Sequence, residues 1–170
     1  MTEAPHDHTA ADHDEQAAKV AAIVESSRIA LVTTVAESGK LVSRPLAALH
    51  RDFDGELWFF TADPSHKTEQ VALNDQVNVA FSSDHGWVSI SGTASVSHDQ
   101  AQIDRFWSSH AEALFDGGRD DPAVALLRVV AHSAEYWTIE DPKLVTAVKY
   151  AKARLTGQQP DLGENATLEL

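Results

Sequence analysis

The chain contains no cysteine. This one absence removes disulfides, zinc ribbons, iron–sulfur clusters and thiol nucleophiles, and it fits a reducing, cytoplasmic setting. Positive charge is also scarce. Thirteen Lys and Arg stand against 26 Asp and Glu in 170 residues, for a formal net charge of −13. Duplex nucleic acid and anionic membrane surfaces both call for a basic face, so neither is an expected partner. No apolar run reaches the length of a membrane span. The acidic, His-bearing N-terminus does not read as a signal peptide. Several catalytic signatures are missing too. The sequence has no Walker-type phosphate loop, no dinucleotide fingerprint of three spaced glycines, no nucleophile elbow and no zinc-peptidase helix.

The length and a 43% apolar content suit one globular domain. Residues 1–15 read as a mobile acidic tail, 16–155 as the folded domain and 156–170 as a second tail. His6, His8 and His13 alternate with Asp7, Asp12 and Asp14 in the first tail. A solvated tail is the simpler account, because nothing packed would fix them as metal ligands. Ala17, Val20, Ala21 and Val24 form one helical stripe. Short β-branched or alternating runs then predict strands over 29–35, 41–49, 57–61, 77–81, 87–97, 125–131 and 134–139, the last two as a pair. The spacing predicts a helix from Asp63-Pro64 to Leu73, with Asp63 as its cap. It predicts another behind a Ser97/Gln100 capping box, with Ile103, Phe106, Trp107, His110 and Leu114 on its stripe. Leu144, Val148, Ala151 and Leu155 make a last stripe. Most strands are joined by tight turns, so pairing should be antiparallel. The fold class is mainly β with flanking helices (α+β), a small barrel rather than a doubly wound sheet.

One constellation can hold an anion. Arg44-Pro45 lies on a strand, and Ser65-His66-Lys67 opens a helix. A helix start offers unpaired N–H groups and partial positive charge. Ser65 adds a hydroxyl, Lys67 and conditionally His66 add cationic donors, and Arg44 adds a planar fork suited to phosphate. Against this, the Asp63 carboxylate could fill the same N–H groups. Elsewhere most of the eight large rings Trp58, Phe59, Phe60, Trp87, Phe106, Trp107, Tyr136 and Trp137 read as core, whereas Trp87 sits on a Ser-lined strand face and is a better candidate for a ligand groove. The remaining histidines are scattered, and Asp120-Asp121 reads as a turn before Pro122. Lys143, Lys149, Lys152 and Arg154 form a local basic stretch, read equally well as a solvated helix face or a contact with an acidic patch.

Taken together, Ser43-Arg44-Pro45, Leu57-Trp58-Phe59-Phe60-Thr61, Ser65-His66-Lys67 and Val88-Ser89-Ile90-Ser91-Gly92-Thr93-Ala94 resemble the general stress protein branch of the pyridoxamine 5'-phosphate oxidase-like superfamily. Phe106-Trp107, Gly118-Arg119-Asp120-Asp121-Pro122 and Ala134-Glu135-Tyr136-Trp137 fit the same branch. The resemblance implies an antiparallel split β-barrel of six to seven strands that binds FMN, or less readily a deazaflavin, between the two chains of a homodimer. By position, Arg44, Ser65, His66 and Lys67 would hold the phosphate. Phe60 and Thr61 would approach the ribityl chain and ring, Val42, Ser43 and Pro45 would run along the isoalloxazine, and Trp87 and Trp107 would lie near the flavin. The family's Arg-Lys pair is His66-Lys67 here.

The chain ends Thr167-Leu168-Glu169-Leu170, without the Arg-rich closing segment that vitamin B6 oxidation would imply. No side chain stands out as a catalytic acid or base. The role the resemblance implies is an FMN-dependent oxidoreductase acting on an unknown small substrate. The alternatives are an FMN-holding stress buffer without turnover, and a cofactor-free interaction barrel.

Overall fold

The computed structural model describes residues 10–49, 52–138 and 165–170. Among these, the order is α1 (Ala10–Ser26), β1 (Ile29–Val35), β2 (Leu41–Ala47), β3 (Glu56–Ala62), α2 (His66–Leu73), β4 (Gln76–Ser83), β5 (Gly86–Ser97), α3 (Gln100–Phe106), α4 (Ser109–Glu112), β6 (Val124–Thr138) and β7 (Asn165–Glu169). The seven strands form one antiparallel sheet in the order β2-β1-β4-β5-β6-β3, with β7 also on β6. A single bridge, Ala48 to Phe59, joins the end of β2 to β3 and so draws the two sheet edges together. The result is a split barrel.

Alternation along each strand fills the interior. Ala30 and Val32 of β1, Val77, Val79 and Phe81 of β4, and Val88 and Ile90 of β5 are buried, as are Phe59 and Tyr136. Val20, Ile23 and Val24 of α1 close over them. Each such aliphatic side chain contributes about 1.5–3 kcal/mol relative to exposure. A second cluster lies on the other face of β3 and β6. There Trp58, Ile103, Val124 and Leu126 pack with Leu49, Phe60, Phe106, Trp107 and Phe115.

Several expectations change. The first helix begins at Ala10, inside the stretch read as tail. Its first turn is Ala-rich and carries Asp12 at the positive end of the helix dipole. Residues 165–169, also read as tail, form β7. Its Leu168 is buried, and Glu169 O accepts from His13 Nε2 at 3.0 Å. Ala125 to Ile139 is not a hairpin: β6 runs unbroken through Thr138. The pairing steps from Gly92–Ala131 to Ser91–Ser133, leaving His132 as the extra residue of a bulge. That bulge shifts the alternation, which imitates two strands. Helix α3 is capped by Asp99, whose carboxylate accepts from Ala101 N, because Ser97 still belongs to β5. The stripe beyond Phe106 breaks at Trp107, and Ser108 starts the separate α4. The stripe from Leu144 to Leu155 and the basic stretch Lys143 to Arg154 lie outside the described residues. No helix among the described residues is long and apolar enough to cross a membrane.

Candidate functional site

Helix α2 is capped by Ser65, not Asp63. Ser65 Oγ accepts from Thr68 N at 3.3 Å, and Thr68 Oγ1 accepts from Ser65 N at 2.9 Å. Neither bond uses the N–H groups of His66 or Lys67, so the first turn keeps donors to offer. The Asp63 carboxylate accepts from His98 Nε2 at 2.8 Å. The Thr68 hydroxyl and the His98 ring hold its pKa below the ordinary carboxylate value. The competitor for the helix start is therefore engaged by the side chains of Thr68 and His98.

Beside that turn, β2 presents Arg44. Its Nη1 donates to Thr34 Oγ1 at 2.8 Å and its Nη2 to Gln70 Oε1 at 2.8 Å. Thr34 Oγ1 in turn donates to Gln70 Oε1 at 2.6 Å. Thr34 is fully buried, and Lys67 is only 9% exposed. Burial lowers the Lys67 pKa, and the charge of Arg44 lowers it further. Among the described residues no carboxylate pairs with either cation. Thr34 and Gln70 were not singled out from the sequence. They are neutral, and Thr34 hides within a β-branched run. The only available signal was Gln70's position three residues after Lys67, which puts both on one helix face.

The other sequence candidates fall in separate places. The His66 side chain is 95% exposed and lies 3.6 Å from Glu69. Thr61 is buried and donates to Ala62 O at 3.1 Å. Phe60 meets Trp107 edge-on, with ring centroids 5.6 Å apart, and Trp107 Nε1 donates to Glu112 Oε2 at 2.7 Å. Val42 shares the inward parity of Arg44. Ser43 and Pro45 are on the opposite, exposed face of β2, where Ser43 Oγ meets Thr33 Oγ1 at 2.8 Å. That outer face also carries Leu31, opposite Pro45, and the directly paired rings Trp87 and Trp137. Ile29, Leu31 and Trp87 are all half exposed or more there.

A polar cleft absent from the sequence reading is lined by Glu56, Trp58, Ser95, Asp99, Gln102 and Arg128. There Arg128 is forked onto the Glu56 carboxylate and stands 5.6 Å over the Trp58 ring. Its charge is neutralised, unlike that of Arg44. Among the described residues no cluster of three or more His, Asp and Glu could hold a metal.

Residues 15–161 match the family described as pyridoxamine 5'-phosphate oxidase like. The chain belongs to that family. Within it, a structure from Jannaschia sp. CCS1 named as a general stress protein 26 is 29% identical, with a TM-score of 0.76 over 92% of this chain and 99% of that one. The general stress FMN/FAD binding protein of Xanthomonas citri is 32% identical, with a TM-score of 0.67 over 76% of this chain and 92% of that one. Protein bli-3 of Neurospora crassa is 30% identical over 135 residues, which are 72% of this chain. The match spans 65% of the bli-3 length. The Jannaschia and Xanthomonas structures, both named as general stress proteins, share its split barrel and place the chain in that branch.

Proposed function

We propose that the chain is an FMN-binding general stress flavoprotein of the cytoplasm, working as a homodimeric oxidoreductase on a small substrate. The observation that carries the cofactor is the pair Arg44 and Lys67, two cations side by side with no carboxylate between them. Bringing like charges together in a partly dry site is unfavourable unless an anion completes it. A phosphate monoester, carrying about −1.5 to −2 charge near neutral pH, fits that need. The free N–H groups of the α2 first turn add dipolar attraction. The likeness to a relative named for FMN/FAD binding supports a flavin as its bearer.

In this reading Arg44 and Lys67 anchor the phosphate, with the Ser65 hydroxyl still able to donate. Bound flavin supplies the electron-transfer chemistry. The chain orients it: Val42 lies on the same face of β2 as Arg44, and Phe60 with Trp107 forms an apolar wall nearby in sequence to Thr61. His66, turned to solvent, is a weaker phosphate ligand than the matching Arg of the family would be. A second copy covers the outer face of Ile29, Leu31, Trp87 and Trp137, since apolar patches of this kind seldom stay bare. Strand β2 serves both surfaces, with Arg44 on one side and Ser43 and Pro45 on the other.

The test is the visible absorption spectrum of the purified protein before and after adding FMN and removing the excess. A retained flavin spectrum is expected, followed by bleaching with a nicotinamide donor and recovery with an acceptor. A protein that neither carries nor takes up flavin overturns the proposal. Tight retention with no bleaching by any donor leaves the stress-buffer role instead.

A further inference from the structure

We infer that Gln70 is a positioning residue that holds Arg44 with its charge intact, so that the site selects a terminal phosphate monoester over a phosphodiester. The inference rests on the flavin reading above and concerns which flavin nucleotide is taken. Arg44 needs acceptors to fix its fork. The structure supplies two neutral ones, Thr34 Oγ1 and Gln70 Oε1, each at 2.8 Å. The glutamine cannot be turned the other way. Both Arg44 and Thr34 donate to it, so its carbonyl oxygen and not its NH2 group must face them. A Glu at this position would make a stronger, charge-assisted bond with Arg44, as Glu56 does with Arg128. It would also cancel the charge and place a carboxylate beside Lys67. Glutamine gives the same reach and acceptor atom without that cancellation.

Two uncancelled cations respond to the charge of the incoming phosphate. A monoester brings nearly two negative charges at one phosphorus, whereas a diester brings one. FMN ends in a monoester. In the deazaflavin cofactor the corresponding phosphate is esterified again, and in FAD it is joined by an anhydride bond to a second phosphate, so in both that phosphorus carries only one negative charge. The intact Arg44–Lys67 pair therefore favours FMN over both, and a riboflavin without phosphate gains nothing from it.

The test compares the parent with Gln70→Glu and Gln70→Leu. Binding of FMN, FAD and riboflavin is followed by flavin fluorescence, and unfolding of the flavin-free protein by Tm. The parent is expected to bind FMN more tightly than FAD. Gln70→Glu is expected to raise the flavin-free Tm and to weaken FMN binding by about 10- to 100-fold, the scale of one charge-assisted hydrogen bond. Riboflavin affinity should hardly change, whereas damage to the fold would lower both. Gln70→Leu keeps the charge but frees the fork, and should lose less FMN affinity while lowering Tm. Equal FMN binding by parent and Gln70→Glu, a parallel loss of FMN and riboflavin, or a parent preference for FAD overturns the inference. A thermal shift with inorganic phosphate and dimethyl phosphate separates this from the flavin reading. A parent stabilised by phosphate alone supports the charge argument even if no flavin binds. Equal stabilisation by both anions, or by neither, overturns it.

Discussion

Burial depresses the proton affinity of Lys67 on α2, and Arg44 on the neighbouring strand β2 depresses it again. The two residues come from different layers of the fold, and the chain tolerates their proximity with only neutral side chains, Thr34 and Gln70, bonded to Arg44. A protein selected for stability alone would have no reason to keep that pair.

Replacing Lys67 by Met should expose this tension. The thioether keeps much of the packing and removes the charge. We expect a higher Tm for the flavin-free protein and FMN binding weakened by about 10- to 100-fold. Unchanged FMN affinity would remove Lys67 from the phosphate site.

The same residue sets a pH dependence. Its folded pKa is lowered below the ordinary lysine value of 10.5. In the window between the two, the unfolded chain holds the extra proton, so stability of the flavin-free protein rises with pH there. A bound phosphate restores the charge, so FMN binding takes up a proton in that window and weakens as pH climbs through it. Calorimetry in buffers of different ionisation enthalpy measures the uptake, and none should appear in Lys67→Met.

Asp63 gives a pH dependence of the same sign in the acid range. Its lowered pKa makes a contribution to stability that is present above the ordinary value of 3.8 and lost as pH falls through the folded value. His98→Ala removes the ring at 2.8 Å. The Asp63 carboxyl, followed by carbon NMR, should then titrate closer to its ordinary value, and acid unfolding should begin at higher pH. An Asp63 titration identical to that of the parent would show that Thr68 alone sets it.

Leu31→Glu combined with Trp87→Glu places charges on the outer sheet face. Sedimentation velocity should show a dimer for the parent and a monomer for the variant, with FMN retention falling alongside. A parent that sediments as a monomer at all concentrations would end the dimer proposal.

Gly92→Ala probes the bulge. An added Cβ would stand 2.2 Å from the backbone oxygen of Val130, which cannot move without shifting β6. A loss of about 1–3 kcal/mol or more is expected, read as a fall in Tm. Retention of the parent Tm would mean that the bulge can open at little cost.

Much of this arrangement was legible before any coordinates. Alternation in 87–97 and the apolar run Leu57 to Phe60 gave real strands, and Arg44, Ser65 and Lys67 drew notice through charge at a helix start. What escaped the sequence was neutral or local. Gln70 and Thr34 carry no charge to draw notice. Asp63-Pro64 looked like a cap because that pair often is one. The working box uses Thr68 where the familiar pattern has Glu or Gln, which concealed Ser65 as the cap. Asp99 outcompeted Ser97 because Ser97 is still the last residue of β5. Residues 10–15 looked too polar for a helix, yet their alanines and the contact from His13 to Glu169 supply what the periodicity did not show.

The bulge at His132 divides β6 into two reading frames. Before it, Ala125, Leu127, Val129 and Ala131 look inward, and after it Ala134 and Tyr136 do. Odd numbers serve the interior on one side and even numbers on the other. Deleting His132 would therefore do more than shorten a strand. With the pairing to one side held, it would invert the other, sending the phenol of Tyr136 to solvent and drawing the indole of Trp137 inward. Length at this point of the chain is as constrained as composition, and lineages of this protein can be expected to vary the residue at 132 far more freely than they add or remove one.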